Sequence, residues 1–388
     1  MSAAVCLVIG AGQLAAGHLA PLLRDAGWDV VLVTRRPAVA AALAPGRLRL
    51  ELTGTGRSRV VTGVRAVLAT DPDLPALAAR AALFATSVGP DALPAVGAWL
   101  APLLTGRLRP GAPPVNLITF ENHRHAPEVL ARALVAAEPA LAGRIGRHLG
   151  LAGSAVWRIS SHQRLDRDAM VVRVDTVADT YVDAASLVPG AAPADPAVAG
   201  LRLVRPFDPW MTEKLWVFNA GHATAAYLGW LAGCGTVAEA MRVPRIEAQV
   251  RAVLEEARAA VTVLGYAPAA VAHDTRHCLD RYRQAALADP VRRVARQPRR
   301  KLSPGDRLIG PAVAALRAGT RPAALALAAA AALRYDDPHD PQAVDLQREI
   351  RRDGPAEVLA TVSALDPSDE LSRLICQAYR DLPERGRG

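Results

Sequence analysis

Lys214, Asn219 and His222 stand five and three residues apart within Pro206–Gly229 (PFDPWMTEKLWVFNAGHATAAYLG). An amine, a carboxamide and an imidazole are what alcohol–ketone chemistry without a metal needs. One group moves the hydroxyl proton, and the others hold the oxygen on which charge develops. On a helix turning about 100° per residue, Asn219 and His222 lie about 60° apart, with Lys214 on the flank of that face. Spacing alone favours a plainer reading: a lysine that snorkels, an asparagine that caps and a histidine satisfied in a core.

Such a set needs a redox partner held nearby, and the start of the chain has the pattern for one. Ala4–Ile9 (AVCLVI) is a continuous apolar run of the kind a central parallel strand requires. Gly10-Ala11-Gly12-Gln13-Leu14-Ala15 follows, then an amphipathic helix reaching about Ala26 and a strand over Asp29–Thr34. This is a βαβ unit with the GxGxxA form of the dinucleotide fingerprint. Gly10 permits the tight turn, Gly12 lets backbone approach a pyrophosphate, and Ala15 keeps the helix close to the sheet. The helix N-terminus faces the negative charge. After the second strand comes Val33-Thr34-Arg35-Arg36, with no carboxylate to meet a ribose 2′-hydroxyl. Two guanidiniums suit a 2′-phosphate instead, so NADP(H) is expected in preference to NAD(H). The plain alternative is that Arg35 and Arg36 only solvate a loop.

Leu48–Leu52 and Arg59–Val64 read as a hairpin around Thr53-Gly54-Thr55-Gly56. A helix near Leu74–Ala82 leads to a strand over Ala82–Thr86, which ends in Ser87-Val88-Gly89-Pro90. The strand Val115–Thr119 ends in Phe120-Glu121-Asn122. Strand carboxyl ends are where an open α/β sheet binds its ligand. Val171–Val177 and Thr180–Val182 read as short β segments. From about Lys214 the pattern is helical, with helices over Ala220–Leu231, Val237–Met241 and Arg245–Leu264 and no internal repeat.

Composition narrows the classes. The 388 residues are 51% hydrophobic, enough for two domains with substantial cores. The net charge of +9 invites a nucleic-acid partner, but the 46 basic residues are dispersed and aromatics make up only 4%, which argues against a base-stacking platform. A positive field also attracts an anionic substrate. Cys6, Cys234, Cys278 and Cys376 form no CxxC or Cys/His cluster, so buried thiols in a reducing compartment are expected, without metal or disulfide. The apolar run Ala323–Leu333 is too short to span a bilayer and reads as a buried Ala-rich helix. A soluble, cytoplasmic protein without membrane or nucleic-acid partners, monomeric or homodimeric, is expected.

The Lys214–Gly229 segment closely resembles the KLxxxNxGHxxxAYLG core of the polyol-specific long-chain dehydrogenases. The SVGP and FEN segments resemble that family's TxVGP and C/AEN strings, which implies that Val88, Gly89, Glu121 and Asn122 lie on the cofactor side; read singly, each is equally a turn or cap residue. Arg281–Pro311 resembles RFxNPxLxDxxxRVxRxPxRKLxxxDRLxxP, with Gln284 and Ala285 in place of Asn-Pro, and Leu333–Pro341 resembles the family's carboxyl-terminal portion. Gly153–Ser161 (GSAVWRISS) departs from the family's NSxVDRxxP: Trp157 stands where Asp is usual, and the Asn and Pro are missing. An acidic group there has become apolar, which bears on the substrate more than on the reaction.

The resemblance covers nearly the whole chain. It implies a Rossmann-type doubly wound sheet over 1–205 and a mostly helical catalytic domain over 206–388. The implied reaction is metal-independent hydride transfer between NADP(H), or NAD(H), and a polyol. Lys214 is the implied general acid/base, and Asn219 and His222 the groups that bind the reacting oxygen, with Trp216 and Phe218 as walls. Lysine ordinarily titrates near about 10.4, so the role calls for burial in an apolar cleft. A polyol phosphate/ketose phosphate pair such as mannitol 1-phosphate and fructose 6-phosphate is the first substrate reading, with Arg158, Arg300 and Lys301 as candidate contacts. A non-phosphorylated polyol or cyclitol is the alternative, and a non-catalytic cofactor-binding sensor a remote one. The basic run Arg292–Lys301 is equally a solvated or Asp306-paired structural segment.

Overall fold

The computed structural model describes residues 3–166, 169–193, 200–266, 274–383 and 385. They form two compact units, 1–211 and 212–388. The chain is a Rossmann-type parallel-sheet region followed by a helical region.

In the first unit, the strands are β1 (Val5–Ile9), β2 (Asp29–Thr34), β3 (Arg47–Leu52), β4 (Arg57–Thr62), β5 (Val64–Leu68) and β6 (Ala81–Thr86). They continue with β7 (Val115–Thr119), β8 (Leu149–Val156), β9 (Ser160–Leu165), β10 (Met170–Val174), β11 (Thr180–Asp183) and β12 (Leu201–Val204). Among the described residues, eight form a sheet in the order β12-β11-β8-β7-β6-β1-β2-β5. From β5 to β8 every neighbour is parallel, and β11 meets β8 antiparallel. Every residue of β1, β7 and β8 is buried, which is why β1 reads as an unbroken apolar run. Alternate residues of β1 serve opposite faces: Leu7 and Ile9 join one core, Cys6 and Val8 the other.

That second core is shared with a four-stranded sheet, β4-β3-β10-β9, in which β3 and β10 run parallel. The β3–β4 hairpin of the sequence reading is therefore real, but it belongs to this separate sheet, and β5 leaves it for the main one. The helix after the glycine loop lies between the two sheets. Ala15 through Leu23 are all buried, so it has no solvated face and is not the amphipathic helix its polarity pattern suggested. Its first turn, Ala15–Leu19, is π-helical, with Ala20 N–H donating to Ala15 O. Gly17 lets β10 close on that turn: a Cβ there would stand 2.8 Å from methyls of both Val172 and Val174.

In the second unit the Asn219–Leu231 helix is buried along almost its whole length. Around it stand Pro244–Val263, Thr275–Tyr282, Val291–Ala295 and Ala323–Leu333, the last being the buried Ala-rich helix the sequence indicates. No helix of the described residues is long and apolar enough to cross a membrane. Cys6, Cys278 and Cys376 are buried thiols, Cys234 is partly buried, and none forms a disulfide.

Candidate active site

The carboxyl ends of β1, β2 and β6 border a cavity of about 480 Å³ lined by Gly10, Gly12, Thr34, Arg35, Arg36, Ser87, Val88 and Trp99. Gly10 has φ 110°, and a Cβ on it would stand 2.4 Å from Ser87 O, so only glycine fits. Gly12 is the converse: a Cβ there would meet nothing within 4 Å, which leaves its backbone open to a ligand. A dinucleotide fits this floor, with its pyrophosphate on Gly12 and the following helix N-terminus. Gln13 turns away, its Nε2 donating to Ser161 O at 2.8 Å, and Leu14 packs against the shared core.

Thr34 and the two arginines have separate tasks. Thr34 Oγ1 accepts the Arg36 backbone N–H at 3.1 Å, and Arg36 Nη2 donates to Ala11 O at 3.2 Å. Arg36 is thus anchored to the glycine loop, whereas Arg35 is exposed at the cavity edge. Glu121 lies behind the opposite wall. Its carboxylate accepts Thr86 Oγ1 at 2.7 Å and Val88 N–H at 2.9 Å. It thereby fixes the Ser87–Gly89 turn, where Gly89 has φ 91°. Burial pushes the Glu121 carboxyl up, against the pull of those donors. Asn122, the next residue, is exposed in the bend that follows β7. Arg158 donates from Nε to Val177 O at 2.8 Å and from Nη1 to Gly17 O at 3.3 Å, bracing the π-helical turn.

In the second unit, Lys214–Phe218 is a π-helical turn, in which Asn219 N–H donates to Lys214 O. That i→i+5 bond accounts for the five-residue spacing, since it sets Lys214 one full turn before Asn219 rather than on the flank. The α-helix then resumes, and His222 follows three residues later on the same face. All three are buried: Lys214 is 4%, Asn219 6% and His222 8% exposed. Lys214 Nζ lies 4.1 Å from the centroid of the Phe218 ring, and the Arg281 guanidinium lies 4.4 Å from it. Trp216 is tied back, its Nε1 donating to Gly305 O at 2.9 Å. Asn219 Nδ2 is buried without a hydrogen-bond partner among the described residues. Gly221 admits the neighbours that close the site, since a Cβ would lie 2.8 Å from Leu254 Cδ2 and 3.1 Å from Tyr282 Oη.

Three residues of this region lie in the family string without a role assigned to them by the sequence reading. His222 Nε2 stands 3.1 Å from Asp289 Oδ2, and Arg293 holds both Asp289 oxygens at 2.6 and 2.7 Å. The His222 ring stacks on Tyr282, whose hydroxyl donates to Phe218 O at 2.6 Å. Burial lowers the His222 pKa, outweighing the Asp289 hydrogen bond and charge; the Arg293 and Lys214 charges push the same way as burial. Burial by itself would raise Asp289, but Arg293 and His222 hold it well below the carboxylate range. The signal in the sequence is the i,i+4 spacing of Asp289 and Arg293 inside the DxxxRV string.

Further along lies a cluster of buried cations. Lys301 donates to Arg296 O and sits 5.8 Å from the Tyr227 ring. Burial, with Arg300, Arg307 and Arg296 nearby against the one carboxylate of Asp306, holds the Lys301 amine well below the lysine range. Arg300 reaches Gln297 Oε1 at 3.4 Å and Asp306 at 3.7 Å. Arg307 Nη2 is buried without a partner among the described residues.

The chain matches two family models, the mannitol dehydrogenase Rossmann domain over residues 5–193 and the mannitol dehydrogenase C-terminal domain over residues 206–383. It is 33% identical to mannitol-1-phosphate 5-dehydrogenase of Brevibacillus brevis over 380 residues, covering 97% of both proteins. It is 34% identical to the protein of that name from Bacillus licheniformis, covering 96% of this chain and 98% of the relative. Its fold resembles Pseudomonas fluorescens mannitol 2-dehydrogenase, solved with NAD and D-mannitol, with TM-score 0.81, 19% identity, and 98% of this chain and 92% of that one covered. A substrate-free D-sorbitol dehydrogenase follows at TM-score 0.73, with 18% identity and coverage of 97% and 92%. A Rossmann-type sheet and helical region matched along their length by these relatives define a polyol dehydrogenase, an oxidoreductase of CH–OH groups. Within that class, the chain belongs to the mannitol dehydrogenase family.

Proposed function

We propose that the protein interconverts a polyol phosphate and a ketose phosphate, of the mannitol 1-phosphate/fructose 6-phosphate kind, with NADP(H) preferred over NAD(H). The observation that carries the reaction is the buried, unpartnered Asn219 amide one π-turn from Lys214. An orphaned buried donor is costly unless a ligand oxygen completes it. Lys214 takes the alcohol proton in oxidation and returns it in ketone reduction, while Asn219 Nδ2 donates to the oxygen on which charge develops. A bound nicotinamide supplies or accepts the hydride. Gly10, Gly12 and the Ser87–Gly89 turn would seat the dinucleotide, and Arg35 with the anchored Arg36 would meet a 2′-phosphate.

Phosphate on the substrate is supported by the excess of buried cations around Lys301, which an anion would offset. Arg300 and Lys301 are the proposed contacts; Arg158, bound to the Val177 and Gly17 carbonyls, is the weaker candidate. A second reading, a non-phosphorylated polyol or cyclitol, is favoured by Gly153 and Trp157. The Phe207 ring stands 3.2 Å from where a Gly153 Cβ would be, and Trp157 is fully buried, so these positions are apolar where the family string carries Asn and Asp.

Nicotinamide absorbance with NADPH or NADH, against fructose 6-phosphate or fructose, tests both points. Fastest turnover with NADPH and the phosphate ester is expected. Faster turnover of fructose would overturn the phosphate assignment, and better use of NADH would overturn the cofactor preference.

A further inference from the structure

His222 is held on one edge and across one face. Its Nε2 meets Asp289 Oδ2 at 3.1 Å, and Arg293 grips that carboxylate through two nitrogens at 2.6 and 2.7 Å. Its ring lies on Tyr282 with centroids 5.2 Å apart and planes 7° apart, and Tyr282 is pinned in turn to Phe218 O at 2.6 Å. Stack and clamp together fix both the position and the orientation of the imidazole. An ionised carboxylate offers only lone pairs, so the nitrogen that faces Asp289 carries a proton. Burial keeps the ring neutral, and a neutral imidazole has one N–H, so Nδ1 presents a bare lone pair. No described residue hydrogen-bonds that Nδ1.

We propose that Asp289, clamped by Arg293, is the positioning residue that fixes His222 as its Nε2–H tautomer, so that the imidazole meets the substrate as a hydrogen-bond acceptor and selects alcohols and ketones bearing a hydroxyl on the neighbouring carbon. The inference rests on the assignment of Lys214, Asn219 and His222 to the reacting centre. Roles then divide along the helix face. Lys214 and the Asn219 amide direct N–H groups to the reacting oxygen, whereas His222 has no proton to give it. An acceptor one helical step from two donors suits a vicinal pair, one carbonyl or alkoxide beside one O–H. A ketone without that hydroxyl leaves Nδ1 desolvated and unpaired, and a site built to bond a hydroxyl discriminates strongly against its absence. The charged and titratable groups facing the ring are Asp289 and Arg293 from residues 289–293, Lys214 from its own helix and Tyr282 from the Thr275–Tyr282 helix.

The test has one arm that needs no turnover. In protein labelled with 15N-histidine, with His222→Gln assigning the resonance, wild type should show Nε2 protonated and Nδ1 bare between about pH 6 and pH 8. Asp289→Asn, which offers His222 either a donor or an acceptor, should give mixed tautomers, and Asp289→Glu should restore the single one. In turnover, Asp289→Asn should lose about 10- to 100-fold in kcat with a 2-hydroxy ketone. It should change little with the ketone that lacks the hydroxyl, so that discrimination between the two collapses. Thermal melts confirm that the variants are folded, and the wild-type spectrum decides the matter if they are not. A wild-type His222 protonated on Nδ1, or unchanged discrimination in Asp289→Asn, would overturn the proposal. If wild type turns over neither ketone, the reacting-centre assignment fails, and the acceptor role in substrate selection fails with it; the spectrum then still decides whether Asp289 sets the tautomer.

Discussion

The π-turns at Ala15–Leu19 and Lys214–Phe218 occupy comparable places, each in a helix that carries a motif, yet one buries alanines, a glycine, a leucine and a histidine paired to Thr180, and the other buries a lysine. In the first, recognition belongs to backbone. Gly10 and Gly12 expose peptide groups, and Gly17 behind them lets β10 approach. In the second, the side chains are the chemistry. Desolvation makes their hydrogen bonds strong and their orphaned groups costly, so each has support behind it: Phe218 beneath Lys214, and Asp289 and Tyr282 around His222. A cofactor floor made of backbone tolerates little steric change; a reacting centre made of buried polar groups tolerates little electrostatic change.

Substitutions in the two turns should separate those sensitivities. Asn219→Ala removes the orphaned donor and should cost about 10²–10³ in kcat, with cofactor affinity by titration unchanged. Arg35→Ala should weaken NADPH binding about 10-fold while sparing NADH, because a 2′-phosphate contact is lost and the Arg36 anchor to Ala11 O is kept. Gly17→Ala drives a methyl to within 3 Å of three side chains and should lower stability by about 1–3 kcal/mol in denaturant titrations. Gly12→Ala, with open space around it, should leave stability alone and weaken the cofactor instead. The buried cations supply the smallest effect. Lys301 has its folded pKa depressed, so its protonation costs stability below that value, and stability rises as pH climbs from it toward the free-lysine value of about 10.4. Lys301→Met should therefore be more stable at neutral pH by about 1 kcal/mol and lose that alkaline rise in denaturant midpoints measured across pH.

The parallel strands and the glycine loop were legible because burial on both faces leaves continuous apolar runs, and because a tight turn against Ser87 demands glycine at position 10. The small sheet was not, since β3 and β10 pair across more than a hundred residues and no local pattern records such a partner. Lys214, Asn219 and His222 stood out by residue type, but helical periodicity misplaced the lysine by assuming an unbroken α-turn. The i→i+5 bond at Asn219 restores its register. Asp289 was hidden for a different reason: its pairing with Arg293 is local, while its meeting with His222 is set by how the Val291–Ala295 segment packs on the Asn219–Leu231 helix.

The most direct test of the central claim is a comparison of Lys214→Ala with wild type, reading cofactor binding by nicotinamide fluorescence and hydride transfer by single-turnover absorbance in the same preparation. The account predicts unchanged NADPH affinity and a loss of about 10²–10⁴ in the hydride-transfer rate, partly recovered by added small amines. Turnover within a few-fold of wild type would contradict it and remove Lys214 from the reaction.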